Sequence, residues 1–150
     1  GNERSDIGWV SPSEAGLLKW QIDINGDGLW DQTHEYGFPG GVPLAGDWLN
    51  TGRDNLGVYR QNLSGRTASH WFLRNDENVP ESTRPPFGLI NDQPVTGDWN
   101  GDGKADFGVY RIVNGAGTFL LDLDLDSDSE SFLELGTEGD IALTFMAPPF

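Results

Sequence analysis

The sequence predicts an all-β fold built from three similar antiparallel units, and three observations carry that reading. First, Val42-Pro43-Leu44-Ala45-Gly46-Asp47-Trp48 recurs as Gln93-Pro94-Val95-Thr96-Gly97-Asp98-Trp99, at an offset of 51 residues. Second, short runs rich in β-branched and aromatic residues alternate with clusters of Gly, Pro, Asn and Asp, the pattern of strands and turns. Third, helical periodicity is missing, and 21 Gly with 9 Pro in 150 residues would interrupt helices throughout.

The repeat fixes the elements in order. The offset of 51 also carries Leu56-Gly57-Val58-Tyr59-Arg60 onto Phe107-Gly108-Val109-Tyr110-Arg111 and Trp20-Gln21-Ile22 onto Trp71-Phe72-Leu73. A further copy follows at an offset of 48, where Phe119-Leu120-Leu121 matches Trp71-Phe72-Leu73 and Ile141-Ala142-Leu143 matches Gln93-Pro94-Val95. Roughly four strands are expected per unit, as near Pro94–Trp99, Phe107–Arg111, Thr118–Leu123 and, weakly, Ser131–Leu135. Asp6-Ile7-Gly8 matches Asp106-Phe107-Gly108, so the first unit begins at its second strand. Its missing first strand is expected near Ile141–Phe145. The chain then reads as one repeat domain over 1–150, with units of roughly 1–48, 49–99 and 100–150. Four antiparallel strands in about 50 residues is the size of a β-propeller blade, and three such units suit part of a larger or oligomeric propeller.

Charge narrows the partners. Nine Lys plus Arg against 24 Asp plus Glu give a formal charge of −15. Such a surface opposes general nucleic-acid binding, which needs cations to neutralise phosphates, and opposes docking on anionic lipid. No run approaches the apolar length that spans a bilayer, so direct membrane insertion is not expected. Cysteine is absent, which removes disulfides, thiol nucleophiles and cysteine metal sites.

The acid collects in loops. Asp98, Asn100, Asp102 and Asp106 occupy positions 1, 3, 5 and 9 of one loop, and Asp23, Asn25, Asp27 and Asp31 the same positions of another. Calcium takes six to eight hard oxygen ligands. Alternate residues of a tight loop converge, with the carbonyls of Lys104 and Leu29 as backbone donors and Gly101 and Gly103 free to turn left-handed. Magnesium fits less well, because it demands octahedral geometry and retains water. Other copies are altered. Leu49 and Thr51 replace ligands in 47–55, and Arg74 replaces the first Asp of a third loop. The stretch Asp122 to Glu130 is rich in carboxylates but lacks Gly. It suits either a calcium loop or a strand with one solvated acidic face.

The run Gly97-Asp98-Trp99-Asn100-Gly101-Asp102-Gly103-Lys104-Ala105-Asp106-Phe107-Gly108-Val109-Tyr110-Arg111 resembles the FG-GAP or VCBS type of repeat. Its weaker copy is 46–60, and the resemblance covers nearly the whole chain. It implies a calcium-binding β-propeller with metal-ligand roles for Asp98, Asn100, Asp102, Lys104 and Asp106. It also implies an extracellular, cell-surface or periplasmic module for adhesion, ligand binding or architecture.

Trp48 with Trp99, and Trp20 with Trp71 and Phe119, recur at fixed places and are expected to pack between units. Trp9 and Trp30 do not recur and are the candidates for stacking on a ligand such as a sugar ring. Arg60 and Arg111 are expected to pair with nearby carboxylates. His34 and His70 do not recur, and each is expected at the surface or in a satisfied hydrogen bond. Asn62-Leu63-Ser64 matches a glycosylation sequon. No nucleophile elbow, zinc-protease or phosphate-loop motif is present. The expected function is a non-catalytic, calcium-stabilised binding or structural module. Its partner would be a protein or glycan, or further copies in a homo-oligomer or larger complex. A lectin-like propeller and an accessory domain of a secreted hydrolase are the alternatives.

Overall fold

The structure, a computed structural model, describes residues 6–61, 67–74, 82–83, 86–126 and 128–144. The sequon at 62–64, most of the loop after Arg74, and Phe145 lie outside them. The described residues form strands and turns with no helix. The chain is all-β, in three antiparallel sheets of three, four and four strands.

The first sheet runs β1 (Ile7–Pro12), β2 (Leu18–Asp23) and β3 (Gln32–Glu35). The second runs β4 (Val42–Gly46), β5 (Asn55–Arg60), β6 (His70–Leu73) and β7 (Ser82–Thr83). The third runs β8 (Gln93–Gly97), β9 (Asp106–Val113), β10 (Ala116–Asp122) and β11 (Ser131–Thr137). Each is a meander of sequential neighbours, the arrangement that short connections allow.

The repeat extends to individual hydrogen bonds. Val10 faces Trp20, Tyr59 faces Trp71, and Tyr110 faces Phe119 across the ladders. Trp20 Nε1 donates to Tyr36 O at 2.9 Å, and Trp71 Nε1 to Phe87 O at 3.0 Å. Tyr59 and Tyr110 hydroxyls donate to Leu89 O and Thr137 O, both at 3.3 Å. These indole and phenol groups keep a polar partner, whereas the buried Trp48 Nε1 has none among the described residues.

The sheets pack in chain order. Leu18 and Trp20 of the first receive Val58 of the second. Trp48, Tyr59, Trp71 and Leu73 of the second receive Ala105, Phe107 and Val109 of the third. A Cβ on Gly46 would lie 2.6 Å from Trp48 and 2.8 Å from Ala105, so the close approach of these two sheets needs glycine there. The recurring aromatics therefore split. Trp20, Trp48 and Trp71 are buried between sheets, whereas Trp99 and Phe119 are half-buried, with no further sheet over them among the described residues.

The expected first strand of the first unit is not formed among the described residues. Residues 141–144 carry no ladder, since no strand among the described residues pairs with them. They are held instead against β8, where Gln93 Nε2 donates to Ala142 O at 2.9 Å and Thr144 Oγ1 to Thr96 O at 2.8 Å.

Candidate metal centre

The loops β2–β3, β4–β5, β8–β9 and β10–β11 emerge at one end of their sheets. In the β8–β9 loop, Asp98 at position 1 accepts from Gly101 N at 2.6 Å and Gly103 N at 2.9 Å. Asn100 Oδ1 accepts from Asp102 N at 2.9 Å, and Asp102 Oδ1 from Lys104 N at 2.8 Å. Asp106 closes the loop by accepting from Trp99 N at 2.8 Å. The β2–β3 loop repeats this set. Asp23 accepts from Gly26 N and Gly28 N, Asn25 from Asp27 N, Asp27 from Leu29 N, and Asp31 from Ile24 N at 2.8 Å. The oxygen side chains at positions 1, 3, 5 and 9 are thus each held by backbone amides of their own loop, but neither loop brings its three carboxylates within 4.8 Å of one another. In both loops the position 3 amide also reaches the position 9 carboxylate, Asn25 to Asp31 at 3.2 Å and Asn100 to Asp106 at 3.3 Å.

The stretch 122–130 has the same construction, so the solvated-strand alternative does not hold. β10 ends at Asp122 and β11 begins at Ser131. Leu125 N donates to Asp122 Oδ1 at 2.7 Å, Asp128 N to Asp126 Oδ1 at 2.8 Å, and Leu123 N to Glu130 Oε2 at 2.6 Å. The missing glycine is replaced by a residue under strain: Leu125 adopts φ 66°, where Gly26 has 76° and Gly101 80°. With Asp at position 3, no amide stands among the acids. One oxygen each from Asp122, Asp124, Asp126 and Glu130 lie within 4.8 Å of one another, the one such acidic group among the described residues. Two unit charges 4 Å apart repel by about 1 kcal/mol in water and about 4 kcal/mol at an effective dielectric of 20. This cluster can hold a metal ion. Sequence reasoning left it between two readings because it required glycine for the turn; the alternation of Asp with a closing Glu, at a strand-to-strand loop, was the available signal.

The altered copy at 47–55 keeps the turn and loses the ligands. Asp47 accepts from Thr51 N at 2.9 Å and Gly52 N at 2.6 Å. The Thr51 hydroxyl also reaches Asp47, at 3.3 Å, and Asn55 turns to Arg53 O instead of closing the loop. This loop packs on its neighbour through Asn50, whose Nδ2 donates to Asp102 O at 3.1 Å. A Cβ on Gly103 would lie 2.7 Å from Asn50, so Gly103 serves both its left-handed φ of 86° and this contact.

Protonation follows the surroundings. The Gly28 amide, with those of Gly26, Asp27 and Asn25, holds the Asp23 carboxyl below its usual range against some desolvation. Burial pushes Asp106 up despite bonds from Trp99 and Asn100, and repulsion from Asp102 and Asp98 adds to it. Burial also raises Asp54, with repulsion from Asp47 and Asp6. Asp6, Asp47 and Asp54, with Asp98, Arg53 and Lys104, line a cavity of about 590 Å³ between the β4–β5 and β8–β9 loops.

The remaining candidates divide. Arg111 forms a two-pronged pair with buried Asp92, at 2.7 and 2.6 Å, as expected. Arg60 lies over the Phe38 ring at 5.5 Å. Trp9 and Trp30 are exposed and meet edge to face at 6.4 Å. His34 lies 3.3 Å from Gln32 Oε1. His70 departs from expectation: it is buried against Phe72, and its Nδ1 has no hydrogen-bond partner among the described residues. Comparison with protein families, with characterised proteins and with solved structures yields no match to this chain.

Proposed function

We infer that the chain is a non-catalytic, calcium-stabilised segment of β-propeller, its three sheets serving as blades, that acts as a binding or structural module outside the cytoplasm. The observation that carries this reading is the shared construction of the loops at 23–31, 98–106 and 122–130. Each holds its side-chain oxygens at positions 1, 3, 5 and 9 in a like set of amide hydrogen bonds, and the third also brings four carboxylates within 4.8 Å of one another. The donor set is hard oxygen throughout, which selects calcium over softer metals. Asp23, Asn25, Asp27 and Asp31 would hold one ion, Asp98, Asn100, Asp102 and Asp106 a second, and Asp122, Asp124, Asp126 and Glu130 a third. Leu29 and Lys104 would contribute carbonyl oxygens. The raised Asp106 supports the reading, since a carboxylate that resists ionisation gains most from a cation.

An ion that binds only the folded chain stabilises it by mass action, by about 2.7 kcal/mol at a concentration one hundredfold above Kd. Thermal unfolding with added calcium, then with chelator, is the test. A melting temperature raised by calcium, less by magnesium, and restored by chelator is the expected result. An unchanged melting temperature removes calcium from the account.

A further inference from the structure

We propose that the two open ends of this chain dock on those of a second copy, head to tail, with residues 141–144 supplying the strand that β1 lacks. The inference takes from the proposed function only the repeated sheet packing and is independent of metal.

Each internal boundary is built alike. One sheet offers a layer containing its Trp, and the next sheet inserts alternate residues of its second strand. Val58 and Leu56 are inserted at the first boundary, Val109 and Phe107 at the second. The ladders put Trp9 and Ile7 at these positions of the first sheet, and there they are 59% and 67% exposed. The matching receptor layer lies at the far end of the chain. Trp99, Phe119 and Leu121 occupy the places of Trp48, Trp71 and Leu73, and they line an apolar trough of about 380 Å³ with Leu133, Leu135 and Leu143. An uncovered face that is buried at every internal boundary marks an interface.

The strand pairing has the same deficit and the same supply. β4 pairs with β5 and β8 with β9, but among the described residues β1 is bonded to β2 alone. Residues 141–144 stand to β8 as β8 stands to β4. Thr144 Oγ1 donates to Thr96 O at 2.8 Å, just as Thr96 Oγ1 donates to Ala45 O at 3.1 Å. Copying the register of β8 on β9 would place Ile141 opposite Val10 of the partner subunit, Ala142 opposite the partner's Trp9, Leu143 opposite the partner's Gly8 and Thr144 opposite the partner's Ile7. The occupant is a second copy because the start of this chain carries both the apolar residues and the register that its end requires. The contact joins unlike surfaces, and two copies satisfy both pairs of ends at once, giving six sheets, within the usual range for a closed ring.

The test is the mass in solution of the wild type and of Trp9→Asp and Leu143→Asp, measured by sedimentation at high micromolar concentration. Both positions are exposed, so each variant should keep the wild-type circular dichroism. The wild type should weigh two chains and each variant one. An equimolar mixture of the variants should regain the two-chain mass, because the intact end of one meets the intact start of the other. A wild type of single-chain mass, a variant that keeps the two-chain mass, or a mixture that stays single overturns the proposal.

Discussion

Trp71 and Phe107 stack with ring centroids 4.4 Å apart and planes within 8°, across the boundary between the second and third sheets. Trp48 meets the same Phe107 ring at 5.5 Å, so one phenyl group keys two tryptophans. Phe107→Ala should therefore cost about 3–5 kcal/mol, the upper range for core truncation, because a cavity flanked by two rigid indoles collapses poorly. Chemical denaturation checks this. A loss below about 1 kcal/mol would mean the boundary is not a cooperative part of the core.

The loop at 47–55 retains the turn and lacks the ligands, which makes it a test bed for the metal pattern. Asn50 and Gly52 already hold the left-handed φ of 55° and 73° that such a loop needs. Leu49→Asn with Thr51→Asp and Asn55→Asp should add one calcium per chain in titration calorimetry. An unchanged stoichiometry would show that spacing alone does not make the site.

Tyr59 is fully buried, and burial is the main cause that pushes its phenol up to about 12. A raised pKa means the folded state holds the proton more tightly than the unfolded one. Its stabilisation is complete below pH 10 and is lost as pH rises through 12, by about 2–3 kcal/mol at 1.36 kcal/mol per unit. Urea unfolding at pH 8 and pH 11 should show this fall in the wild type. Tyr59→Phe should lack that component of the fall.

Arg111 grips Asp92, which is 4% exposed and also accepts from Leu89 N at 2.7 Å. Arg111→Leu leaves a buried carboxylate unpaired and should cost about 3 kcal/mol. Adding Asp92→Leu should return part of that loss, and a thermal-melt cycle of the four proteins measures the coupling. Independent, additive losses would contradict the geometry.

The strands were legible because each is written three times or nearly so, and the pairs Val10–Trp20, Tyr59–Trp71 and Tyr110–Phe119 preserve one register. The turns at 23–31 and 98–106 were legible because Asn-Gly-Asp-Gly supplies the left-handed glycines, Gly26 and Gly28 in one and Gly101 and Gly103 in the other. Leu125 hid the third loop, since an aliphatic residue in left-handed backbone is strained and is not read as a turn. A further anchor holds it in place: its side chain packs against the core shared by Trp71 and Phe107. Asn50 bridging to Asp102 was illegible for a different reason, being a contact between repeats and not a property of either. Residues 141–144 matched a strand in sequence but not in structure, because a strand exists only beside a partner.

The middle sheet is clamped on both faces, by Trp20 through Val58 on one side and by Phe107 through Trp71 on the other. Among the described residues the first sheet is held through one face alone, by the smaller of these two apolar contacts. Stability in such an array is a sum of neighbour couplings and not a single number. Opening should therefore begin at the first sheet and travel inward, with the amides of β5 and β6 exchanging last and the ends breathing freely until something covers them.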